Sequence, residues 1–214
     1  CLSLHIIGVP MFWEGDHCVH MVVVHVQRDP LTVIVQLALF KIGAVYLPVE
    51  ESTPAERQAV IIEESRAQWQ IQFSANDIAA KGVKTKFISL PQLSAMKVLD
   101  FTPNTLSAET SAYAIYTSGS TGKPKGVLVG HGGLANTIRS LVSEYHLHDD
   151  ARVLQNVPLG FDVSISEVWQ ALCSGASLHI VGKDALVPGK PLSQTLITHK
   201  ITHLSIVPTA LDVI

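Results

Sequence analysis

Short β-branched runs alternate along the chain with segments of helix length. HMVVVHV over 20–26 and AVYLPV over 44–49 flank an apolar helical stretch over 30–41. A helix is predicted to start near TPAERQAVIIEES, where Thr53 can cap, Pro54 suits the first turn and Glu56 completes the capping-box spacing. Further strands are predicted over 69–73, 86–90, 112–117, 126–131, 152–157, 177–181 and 202–207. Helices are predicted over 133–145, 164–173 and 191–199, and another begins after 207. This alternation reads as an α/β fold of mostly parallel sheets covered by helices.

Residues 91–111 are polar and proline-bearing without a strong period, and read as a surface connection. The sequence begins at Cys1 and stops at Ile214 just as a helix starts. It is therefore expected to be the N-terminal portion of a longer domain, truncated at both ends.

Composition narrows the partners. With 47% apolar and 15% charged residues the chain should bury an extensive core, and a formal charge of -3 offers no basic field for nucleic acid or an anionic membrane. Its most apolar stretch, LTVIVQLALF over 31–40, falls well short of the roughly 20 residues that cross a bilayer. Nothing ahead of the first apolar run has the basic flank of a signal peptide. Cys1, Cys18 and Cys173 are odd in number and far apart, which suits free thiols in the cytoplasm better than a disulfide framework. His17, His20 and His25 suggest a metal, but strand alternation would put His17 and His20 on opposite faces.

The chemistry concentrates in YTSGSTGKPKGV over 116–127. Gly119 and Gly122 let the backbone bring its N–H groups close to a ligand, while Thr117, Ser118, Ser120 and Thr121 add hydroxyl donors. Lys123 and Lys125 place cations at the far end, a set suited to a polyphosphate, whose oxygens only accept. The loop is not a P-loop. Only two residues separate its glycines, where that motif has four, and Pro124 follows the lysine where that motif needs a hydroxyl for magnesium.

This stretch resembles the signature of the adenylate-forming superfamily: acyl-CoA and aryl-CoA ligases, luciferases and the adenylation domains of nonribosomal peptide synthetases. The resemblance implies that Thr117, Ser118, Gly119, Ser120, Thr121, Gly122, Lys123 and Lys125 hold the β- and γ-phosphates of ATP, with Lys123 and Lys125 serving the reaction. FKIGAVYLPVEESTPAER over 40–57 is similar to a stretch of the nonribosomal branch, with Lys41, Gly43, Tyr46, Pro48 and Pro54 to Arg57 in matching places.

GFDVSISEVWQAL over 160–172 is similar to the Phe-Asp-x-Ser motif of amino-acid-activating domains, matched by Phe161, Asp162 and Ser164. There the aspartate pairs with the substrate's ammonium group, which loses water on entering an apolar pocket and needs a fixed counter-charge. Asp162 is equally well placed to cap the helix that follows. By the same resemblance Val163, Ser166 and Ser205 line the side-chain pocket, and Glu167 and Trp169 belong to the helix. His131, Trp13, Trp69, Trp169, Tyr113 and Tyr116 read as packing residues, and EYHLHDD over 144–150 as a solvated helix end.

The implied activity is ATP-dependent formation of an aminoacyl adenylate with release of pyrophosphate, assisted by magnesium. The acyl group then passes to a phosphopantetheine thiol on a downstream carrier-protein domain. Two alternatives remain: an acyl-CoA or aryl-CoA ligase, and a nucleotide-binding module without turnover. The 214 residues alone are expected to be inactive, because adenine-binding, ribose-binding and catalytic-lysine motifs of the family lie beyond this stretch.

Overall fold

The computed structural model describes residues 20–73, 82–89, 106–118 and 124–214, with Ser118 described in its backbone only. The chain divides into two compact units, one of residues up to 27 with 31–132, the other of 28–30 with 133–214. Each is described by itself.

The first unit is built on a six-stranded sheet in the order β4-β3-β1-β2-β5-β6. Its strands are β1 (Met21–Val26), β2 (Val45–Glu50), β3 (Trp69–Gln72), β4 (Lys84–Phe87), β5 (Ser111–Ser118) and β6 (Pro124–Gly130). Neighbours from β4 to β5 pair in parallel, whereas β5 and β6 pair antiparallel across the 119–123 connection. The apolar run of β1 is explained by burial on both faces, with Val22, Val23 and Val24 wholly inaccessible. Val23, Val45, Leu47, Val49 and Ala114 form a cluster with Ile61 and Ile62 of α2 (Ala55–Ser65). Within the same sheet the buried His25 Nε2 meets Gln70 Oε1 at 3.0 Å, and Gln70 donates to Thr85 at 2.7 Å.

Helix α1 (Pro30–Ile42) ends in a Schellman turn: the Gly43 N–H donates to the Phe40 carbonyl and the Ala44 N–H to that of Leu39. Gly43 holds φ +74° there, and a Cβ on it would stand 2.8 Å from Leu106 Cδ2. The start of α2 departs from the sequence expectation. Pro54 occupies the cap position and no side chain caps the helix. Thr53 instead serves the preceding turn, its N–H donating to the Glu50 carbonyl and its carbonyl accepting from Gln58 Nε2 at 2.7 Å.

The second unit holds a parallel three-stranded sheet in the order β8-β7-β9: β7 (Arg152–Leu154), β8 (Ser177–His179) and β9 (His203–Leu204). Its helices are α3 (His131–Glu144), which starts in the first unit, α4 (Asp162–Ser174), α5 (Lys190–Thr198) and the short α6 (Pro208–Leu211). Val153, Ala151, Leu147, Ala171 and Ala176 make its core. Leu147 is the buried exception in the otherwise exposed 144–150 segment, tucked under the end of α3 by its N–H bond to the Val142 carbonyl.

All three strands of this sheet are shorter than the hydrophobic pattern suggests. After Leu154 only the Gln155 N–H continues the ladder, to the His179 carbonyl, and the Asn156 and Val157 amides turn to a side chain instead. Ser111 belongs to β5, not to the surface connection; residues 106–110 are mostly exposed as expected, and 90–105 lie outside the described residues.

Candidate functional site

In the first unit, β5 and β6 deliver the hydroxyl- and lysine-bearing loop. Thr117 stands opposite Lys125, and Ser118 opposite Pro124, as the last paired positions on either side of it. Both Thr117 and Lys125 are exposed, Lys125 on the edge strand β6 and Thr117 near the end of its neighbour β5. Gly119, Ser120, Thr121, Gly122 and Lys123 lie outside the described residues. Next to the loop Gly126 allows a close approach: a Cβ there would meet the Tyr116 ring at 2.9 Å.

Behind these strands His131 opens α3 with its ring edge-on to Phe40, centroids 5.1 Å apart. Burial lowers its basicity, which agrees with a packing role.

In the second unit the substrate candidates gather on α4. Ser164, Ile165, Glu167, Val168 and Ala171 are buried. Of the first turns Asp162 and Val163 are left exposed, and Ser166, four residues on from Asp162, is half-buried beside it. Phe161, just ahead of the helix, is 60% exposed. Asp162 is not the N-cap. Phe161 holds that position, and Asp162 is the first helical residue, with Oδ1 accepting the Val163 N–H at 2.9 Å. The chain is turned into the helix by Ser164, whose hydroxyl reaches the carbonyls of Phe161 at 2.7 Å and Leu159 at 3.2 Å.

Ser205 follows β9. Its carbonyl accepts from Asn156 Nδ2 at 2.7 Å, which ties it to the segment whose amides serve Glu167.

Glu167 was legible from the sequence only as a helix residue, yet its buried carboxyl gathers the amides of two residues from another segment. Its exposure is 0%, and its oxygens accept the N–H groups of Asn156 at 3.2 Å and Val157 at 3.3 Å. Arg28 donates to the carbonyls of Gln155, Asn156 and Val157. Burial pushes the Glu167 carboxyl up to about 8, against the opposing pull of those two amides, Arg28 and Ser205. A charged residue inside an otherwise buried stripe is the signal by which sequence reading could have found it.

Of the candidates, then, Asp162, Val163 and Ser166 share one helical face, Ser205 joins them through the Glu167 network, and Thr117 faces Lys125.

Comparison with known proteins bears on what these positions do. A family model described as AMP-binding enzyme matches residues 15–214. Bacitracin synthase 3 of Bacillus licheniformis is 35% identical over 194 residues, covering 88% of this chain and 3% of that protein. The N-terminal subdomain of Klebsiella oxytoca NpsA, solved in complex with 3-hydroxyanthranilyl-AMSN, matches with a TM-score of 0.73 and 28% identity over 87% of this chain and 46% of that one. NpsA-ThdA, an artificially fused adenylation-PCP di-domain from the same organism, matches with a TM-score of 0.75 and 28% identity over 87% of this chain and 37% of that one. The chain thus spans less than half the length of each of these relatives.

Proposed function

The chain belongs to the AMP-binding enzyme family, and we propose that its full-length protein activates an amino acid as an aminoacyl adenylate for nonribosomal peptide synthesis. A substrate carboxylate oxygen attacks the α-phosphorus of ATP. The new P–O bond forms as the bond to the bridging oxygen of the β-phosphate breaks, and pyrophosphate leaves with that electron pair. Lys125, with Lys123 and the hydroxyls of Thr117, Ser118, Ser120 and Thr121, stabilises the charge gathering on the departing pyrophosphate, while Gly119 and Gly122 let the backbone approach it. The loop's task is positioning and charge neutralisation, which phosphoryl chemistry demands most.

Asp162 carries the amino-acid reading. Its carboxylate is exposed at the first turn of α4, while Phe161 holds the cap position and Ser164 secures the turn. That leaves Asp162 able to serve as counter-charge to an α-ammonium group, with Phe161, Val163, Ser166 and Ser205 shaping the side-chain pocket. Magnesium enters this reading with the ATP phosphates, whose charge it would neutralise. The steps above run on the chain's own residues.

A carrier-protein domain bearing phosphopantetheine, as partner and acceptor of the acyl group, is supported by the similarity to a peptide synthase and to an adenylation-PCP fusion. A cytoplasmic setting is supported by the odd, widely spaced cysteines. No described helix is long and apolar enough to cross a membrane.

The test is ATP–pyrophosphate exchange by the full-length protein across amino acids and matched carboxylic acids lacking the amine. Exchange that requires the amine is expected. Exchange driven only by amine-free acids would point to an acyl-CoA or aryl-CoA ligase and overturn the reading.

A further inference from the structure

Four separate pieces of chain are tied together around one buried carboxyl in the second unit. Glu167 comes from the hidden side of α4, one residue beyond Ser166 and five beyond Asp162. The amides of Asn156 and Val157 close on it from the end of β7. Asn156 carries the link on to the end of β9, since its Nδ2 donates to the Ser205 carbonyl at 2.7 Å while its own N–H donates to Glu167. Arg28 holds the outer side of the same turn by its bonds to three successive carbonyls.

A carboxyl wholly removed from water is costly to keep unless its oxygens are satisfied, and satisfied networks of this kind hold their members in one arrangement. An aliphatic side chain at position 167 would fill the stripe between Ser164 and Ala171 without tying Ser205 to α4. The carboxyl adds a fixed distance between two parts of the pocket that otherwise belong to different strands and loops.

We propose that Glu167 is a positioning residue for substrate selection: through Asn156 and Ser205 it sets where Ser205 stands relative to the Asp162, Val163 and Ser166 face of α4. The inference rests on the amino-acid-activation reading given above. Glu167 itself touches no substrate. Loosening it moves one wall of the pocket and leaves the phosphate loop, in the other unit, unchanged.

The test compares wild type with Glu167→Gln and Asn156→Ala in the full-length protein, by pyrophosphate exchange over amino acids of graded side-chain size. Glu167→Gln keeps the shape but replaces the carboxyl oxygen pair that the two amides share. Asn156→Ala cuts only the side-chain bond to Ser205, and carries the test alone if Glu167→Gln does not fold. The expected result is a fall of about fivefold or more in discrimination between the best amino acid and its neighbours in size, as coupled members of one network show. It should appear in KM for the amino acid, with KM for ATP within about twofold. Lower thermal stability with unchanged discrimination in every variant that folds would reduce Glu167 to a structural residue and overturn the proposal. Wild-type exchange that does not depend on the amine is a different failure, that of the underlying reading, and is scored before any variant.

Discussion

Thr117 and Lys125 face each other as register partners across the antiparallel β5–β6 pair, the hydroxyl of one strand opposite the ammonium of the other. Both are exposed, and Lys125 stands on the edge strand β6, so it contributes little to folding. Lys125→Ala should slow pyrophosphate exchange by about 10- to 100-fold, the range for a lost charge-assisted bond of about 1.5–3 kcal/mol. The urea midpoint should stay in place. Unchanged exchange would remove Lys125 from the phosphate site.

Asp162 separates recognition from capping. Because Phe161 occupies the cap and Ser164 makes the turn bonds, Asp162→Asn should leave the thermal midpoint nearly unchanged. It should raise KM for the amino acid by about 10-fold or more while KM for ATP stays put. Equal losses in both constants, or a collapse of stability, would return Asp162 to a structural role.

The buried Glu167 carboxyl makes stability depend on pH in a definite direction. The folded state holds the proton up to about 8, whereas the unfolded chain releases it near the ordinary value of 4.5. Between those values the native state binds more protons. The contribution is therefore complete below 4.5 and is lost as pH rises toward about 8, at most about 1.4 kcal/mol per pH unit. Glu167→Gln should flatten this slope. Urea titrations of wild type and variant at about pH 5 and about pH 8.5 measure it, and parallel curves would contradict it.

Gly43 combines a left-handed backbone with contact to Leu106, so Gly43→Ala incurs both strain and overlap. A loss of about 1–3 kcal/mol is expected from chemical denaturation. The adjacent Lys41, exposed on the last turn of α1, should tolerate alanine within about 0.5 kcal/mol.

His146 ends α3 at φ +51° with its N–H on the Ser143 carbonyl, a left-handed position held by a residue with a Cβ. His146→Gly should stabilise the protein by about 0.5–1 kcal/mol, because glycine adopts that conformation without steric cost. Differential scanning calorimetry would register the rise, and a fall would mean that the imidazole contributes more than the backbone strain removes.

The order of elements was legible because it depends on local pattern. The valine run of β1 and the β-branched and aromatic residues of β2 and β5 mark buried strands, and the stripe of α4 marks a helix with one hidden side. Where local signals competed, the sequence reading went astray. Thr53 followed by Pro54 and Glu56 has every mark of a capping box, yet Gln58 reaches back to the Thr53 carbonyl and the hydroxyl makes no cap. Asn156 and Val157 fall within the strand expected over 152–157, but their amides serve Glu167 and the strand stops.

From its sequence alone the chain's α/β class, its glycine-, hydroxyl- and lysine-bearing signature and the candidacy of Asp162 were legible, since each rests on residue types at fixed short spacing. Tertiary structure decided the rest. It left Asp162 and Val163 exposed and Ser166 half-exposed on α4 by burying the rest of its first turns, and it brought Asn156 to Glu167 across 11 positions of chain and to Ser205 across 49. No local pattern encodes such a meeting. It arises because a carboxyl forced into the core by its helix must find its hydrogen bonds among whatever segments the fold brings beside it.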